Sequence, residues 1–171
     1  MTFRAPWSPL LKWTSGLVTL MMVGMTAFFY LLLQERPEHL WAGPIPMVVL
    51  LGALAFTIRG YELDRQGLHV RRLIWTTHVP LDSLESVQVD PQAMKRSLRL
   101  FGNGGLFSFS GIFRNRKLGN YRALATDPKR SVVLDLGQRK VVVTPDRPSR
   151  MAQKLKEMWP AIEVETGDGH D

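Results

Sequence analysis

The residues able to do chemistry are few and scattered. There is no cysteine, which removes thiolate nucleophiles, thiolate metal sites and any disulfide framework. The four histidines, His39, His69, His78 and His170, stand without carboxylates at ligand spacing, so no metal centre is expected. No serine falls in a G-x-S-x-G turn, and spacing nominates no Ser, His and Asp set. Gly102, Gly104 and Gly105 invite a phosphate-loop reading, because packed backbone amides cradle phosphate. The spacing fails, since a dinucleotide fingerprint needs glycine at position 107, which is Phe107, and no Gly-Lys-Ser/Thr follows. These glycines are instead expected at turns and bulges that need positive φ. No catalytic residue, cofactor or metal is expected, and the chain reads as a non-enzyme.

What remains is positive charge. The formal net charge is +7 with a pI near 10.1, and 19 of the 22 Lys and Arg lie in residues 59–171. Arg114, Arg116 and Lys117 stand beside Ile112 and Phe113 in a predicted loop, and Lys95, Arg96 and Arg99 form a second cluster. These six are the candidate lipid or partner contacts. Near anionic headgroups each cation contributes about 1 kcal/mol, while the competing reading is a solvated loop that maintains solubility. Arg71 and Arg72 lie nearer the hydrophobic region and are read as setting topology. The aromatic and basic spacing of an RNA-binding sheet is absent, so no nucleic-acid partner is expected.

The elements that must position these cations begin with two apolar runs. Residues 13–33 and 40–58 contain no acid, base or histidine, and roughly 20 such residues span a bilayer core as a helix. Pro44 and Pro46 fall in the first turns of the second run, where missing amide donors matter least. Residues 34–39 form a short external loop that can reverse the chain but not recross the membrane, so both outer ends share a side. Arg4, Lys12, Arg59, Arg65, Arg71 and Arg72 on that side outweigh the lone Arg36 in the loop, which places both termini in the cytoplasm. A cleaved signal peptide over residues 1–33 is the alternative, but the apolar run exceeds an h-region and no A-x-A-like site follows. The reading is thus a cytoplasmic tail 1–12, two transmembrane helices and a domain over residues 60–160.

That domain reads as mainly β. Short alternating runs give strands at 61–64, 68–77, 84–89, 98–101 and 118–125, then the hairpin SVVLDLGQRKVVVT around Gly137. Leu68, Val70 and Arg72 alternate with His69 and Arg71. SRMAQKLKEMW carries Met151, Leu155 and Met158 at helical spacing, with Asp146 or Ser149 as cap and Pro148 in the first turn. Residues 161–171 are read as a flexible acidic tail.

About seven strands followed by one C-terminal helix is the element order of a bent sandwich or barrel of the pleckstrin-homology (PH) type. From Phe101 onward the chain resembles the bacterial PH-like domain family. The matching features are Gly104 and Gly105, Gly111, the Leu118, Gly119 and Tyr121 segment, Thr126, the Val132 to Val143 hairpin, and Thr144, Pro145 and Asp146. The resemblance implies a fold and a bacterial inner-membrane setting, but hands over no active site. The spaced basic residues that serve phosphoinositide binding in eukaryotic PH domains have no counterpart in the Arg65, Gln66, Gly67 turn. The expected function is a non-catalytic, membrane-anchored binding or scaffold module for a protein partner, with anionic-lipid sensing through the basic residues as the alternative.

Overall fold

The structure is a computed structural model that describes residues 1–33 and 41–166. The predicted external loop 34–39, His39, His170 and the end of the predicted tail lie outside the described residues. The first helix, α1 (Pro9–Leu33), starts four residues before the predicted span. Ser8 Oγ accepts a hydrogen bond from the Leu11 amide at 3.1 Å, and Pro9 opens the helix, a pairing that suits an N-terminus. Its 25 residues reach about 37 Å. Among the described residues it is the one helix long and apolar enough to cross a membrane. Leu17, Leu20, Phe28 and Leu31 on it are all exposed.

Among the described residues the second apolar run is α-helical over α2 (Ile45–Ala55), 11 residues or about 17 Å. It stops because the following residues belong to the β-structure: Phe56 is the C-cap, and Ile58 is wholly buried at the start of the next strand.

Among the described residues, eleven strands form two sheets. The first has the order β1 (Thr2–Arg4), β2 (Ile58–Asp64), β3 (Gly67–Arg72) and β4 (Thr76–Val79), all antiparallel. Part of the predicted tail 1–12 is thus an edge strand, held by Phe3, 5% exposed, in the core. The predicted strand 68–77 is two strands broken at Leu73 to Trp75.

The second sheet contains β5 (Ser86–Val89), β6 (Leu98–Gly104), β7 (Phe109–Asn115), β8 (Gly119–Ala125), β9 (Val132–Asp135), β10 (Lys140–Val143) and β11 (Glu163–Thr166). Its order is β11-β5-β9-β10-β8-β7-β6, with β10 parallel to β8 and β11 parallel to β5. The runs VVL and VVV are continuous rather than alternating because the middle of this sheet is covered on both faces. Val132, Leu134, Val141 and Val143 face the main core, while Val133 and Val142 face a second cluster with Ala93, Phe113 and Tyr121.

Further expectations needed correction. The segment around Arg114 is not a loop up to that residue but the strand β7. Residues 163–166 are not a loose tail either, since Glu163 to Thr166 add in register to Ser86 to Val89, and Ile162 is buried. The closing helix α3 (Pro148–Met158) packs Met151, Ala152 and Leu155 into the main core. Its N-cap is Arg147, without a side-chain cap, because Asp146 Oδ1 accepts from the Arg4 amide at 3.2 Å.

Candidate functional site

Both helices are fastened to one end of the second sheet. Thr14 Oγ1 donates to the Gly105 carbonyl at 2.9 Å, and Ser15 Oγ accepts from the Phe107 amide at 2.9 Å. Phe107 holds φ +63°, a conformation non-glycine residues rarely adopt, and the Ser15 bond and the Trp7 ring, 6.2 Å away, help hold it there. From α2, the Phe56 carbonyl accepts from Ser108 Oγ at 3.2 Å and from Arg72 Nη1 at 2.9 Å.

Arg72 is the hub of this junction. As its place in the alternation predicts, it points inward with Leu68 and Val70, and it is 7% exposed. Its guanidinium also donates from Nε to Thr77 Oγ1 at 3.0 Å and from Nη2 to Ser110 Oγ at 2.7 Å, and lies over the rings of Phe56 and Trp75. Burial, with the nearby Arg122 charge, lowers its pKa from the ordinary arginine value, and the side chain still stays charged. The fork thus satisfies the helix C-terminus and welds it to the β3–β4 turn.

Beside this junction lies a groove of about 790 Å³. Arg4, Arg59, Arg71, Arg72, Arg147 and Arg150 line it, against a single carboxylate, Asp146. A bulge between Ile58 and Gly60 turns Arg59 outward. Among the described residues, Arg147 alone of these six has a carboxylate within reach, Asp146 at 3.8 Å. At the rim, Leu73, Ile74 and Trp75 are exposed, and Trp75 meets the Phe56 ring edge-on at 4.9 Å. Sequence reasoning missed this groove because its arginines come from β1, β2, β3 and the start of α3. A second slot of about 830 Å³ lies between α2 and the β6–β7 pair, walled by Phe101 and Ile112 with Arg99 and Arg122.

Five of the six cations chosen from sequence, Lys95, Arg96, Arg114, Arg116 and Lys117, come together at the far end of β7. Asn115 Nδ2 donates to the Ala93 carbonyl at 2.7 Å and to Ser97 Oγ at 2.9 Å, which ties the β7–β8 turn to the loop before β6. Lys95, Arg96, Arg114 and Arg116 are exposed there, whereas Lys117 is held by the buried Asp90 carboxylate. Arg99 lies apart, in the second slot. From Phe109 to Asn115 the strand covers about 20 Å, so these cations stand at the opposite end of β7 from the helix attachments. His69 and His78 are cross-strand partners with ring centroids 4.7 Å apart. Among the described residues no three His, Asp or Glu converge.

A mainly β sandwich of two sheets, closed by a C-terminal helix and offering grooves rather than a set of reactive groups, defines the class: a PH-like domain. The chain belongs to the bacterial PH domain family, whose sequence profile matches residues 59–158. No curated protein and no solved structure matches the chain.

Proposed function

We propose that this protein is a membrane-anchored, non-catalytic PH-like module that holds a protein partner at the cytoplasmic face of the bacterial inner membrane. In this reading α1 and the apolar run that holds α2 cross the bilayer as a hairpin, the run leaving the bilayer before Ile58 enters β2, and residues 60–160 are the binding domain. The observation that carries the binding role is β6. It is the outer strand of its sheet among the described residues, and Leu98, Leu100 and Phe101 on it are 67%, 50% and 75% exposed. An open strand edge with apolar side chains suits an added strand from a partner, with main-chain hydrogen bonds supplying affinity. Lys95, Arg96 and Arg99 flank this edge and Arg114 pairs with Leu98, so an extended segment with acidic residues is the fitting partner. This assigns Lys95, Arg96, Arg99 and Arg114, with Arg116 in the adjacent turn, to partner contact rather than to lipid, while Lys117 stays on Asp90.

The test is affinity purification of the full chain in mild detergent. A specific partner should be recovered, lost on deletion of residues 61–160, and depleted at least about tenfold by Leu98→Lys with Leu100→Lys, given a hot-spot contribution of 2 kcal/mol or more. Undiminished recovery with both lysines in place would count against the edge.

A further inference from the structure

The groove at the helix junction meets three conditions that a solvated basic surface need not meet. Its cations converge: six arginines from four separate elements line one concavity of about 790 Å³. Its one acid is already engaged, with Asp146 Oδ1 on the Arg4 amide at 3.2 Å and Oδ2 3.8 Å from Arg147. Its depth relative to the helices is fixed, because Trp75 packs on Phe56, the C-cap of α2, and Arg72 bonds the Phe56 carbonyl.

The rim selects between ligands. Ile74 is 74% exposed and Leu73 42%, an apolar tip beside arginines at the level where a helix ends. A tryptophan and aliphatic residues next to cations are the composition of a surface that sits at the headgroup boundary of a bilayer. Arginine guanidinium groups match phosphate oxygens in planar, two-pronged geometry. An acidic protein segment would also meet the charge, but nothing in that partner calls for Ile74 and Leu73 to protrude beside the helix end.

The geometry points to a binding site for the phosphate of an anionic membrane lipid, formed by Arg4, Arg59, Arg71, Arg147 and Arg150, with Leu73 and Ile74 dipping into the interface. Arg72 is the positioning residue, since each of its three guanidinium nitrogens already donates within the fold, to Thr77, Phe56 and Ser110. The site is distinct from the β6 edge, and rests on the reading that the helices lie in a bilayer.

The experiment is lipid retention by the full chain in nonionic detergent, read by native mass spectrometry. Phosphatidylglycerol should be retained over phosphatidylcholine by about tenfold or more. Arg59→Gln with Arg71→Gln should lower that retention roughly thirtyfold, at about 1 kcal/mol for each cation, while Arg114→Gln with Arg116→Gln leaves it unchanged. Should the first pair misfold, Arg150→Gln, on an exposed helix position, should lower retention about fivefold by itself. Equal retention of the two lipids, or wild-type retention by a folded arginine variant, overturns the site. Full displacement of phosphatidylglycerol by millimolar inorganic phosphate would make it a free-phosphate site instead, and loss of a protein partner without loss of lipid would make it a protein surface. Alkaline extraction of native membranes checks the underlying reading separately: release of the chain into the supernatant removes the bilayer whatever the lipid data say.

Discussion

Tyr61 stands where the two sheets meet and has no exposure at all. Its hydroxyl donates to the Leu124 carbonyl at 2.7 Å and accepts from the Thr144 amide at 3.2 Å, tying β2 to β8 and to the end of β10. Burial pushes its pKa up to about 12 against the pull of the Thr144 bonds. Between about pH 10 and 12 the folded chain keeps a proton that the unfolded chain has lost, so stability is full below pH 10 and falls as pH rises toward 12. The loss is on the order of 2–3 kcal/mol. Tyr61→Phe should cost about 1–3 kcal/mol at neutral pH by stranding Leu124 O and the Thr144 amide. It should also remove this part of the alkaline decline; thermal unfolding of the detergent-solubilised chain from pH 8 to 11 checks both. The inward alternation of Arg72 was readable from Leu68 and Val70. Its partners were not, because Phe56, Thr77 and Ser110 lie on three different elements.

The β6–β7 pair depends on glycines at the element scale. Gly111 sits at φ +153°, and a Cβ there would lie 2.1 Å from the Phe101 carbonyl oxygen; on Gly102, at φ +100°, it would meet the Ser110 carbonyl oxygen at 2.3 Å. Two backbones approach where no side chain fits, so these glycines are structural, as the failed nucleotide spacing around Gly102 suggests. Gly111→Ala should lose more than about 3 kcal/mol, since steric overlap adds to conformational strain. Gly119→Ala, at φ +69° with open space around it, should cost only about 1–2 kcal/mol. Equal melting points for the two variants would argue against the close approach. Strands β9 and β10 were legible because both their faces are buried and their apolar runs are unbroken. Strand β7 was not, because glycines and cations interrupt its pattern and its partners supply the pairing. Strand β11 was hidden for a similar reason: its register comes from the backbone of β5, not from side-chain periodicity.

For the whole molecule, the pairing of β1 with β2 matters most. Thr2 to Arg4 lie in register with Glu62 to Gly60, so the residues before α1 and those after α2 are on one side of the helices. If α1 crosses a bilayer, the chain must therefore return, and the proposed hairpin meets that requirement even though α2 alone is about 17 Å long. A C-terminal tag should accordingly resist protease added to intact spheroplasts and be digested only after lysis. Digestion before lysis would reverse the proposed topology.

The sequence by itself determined that an uncharged run long enough to cross lipid precedes a basic β domain with one closing helix, because hydrophobic length and periodicity are local properties of the chain. Only the tertiary structure decided which arginines share a groove, which strand is left at the sheet's edge and that the first residues pair with the sixtieth. Those depend on close contact between residues far apart in sequence, and no local pattern records them.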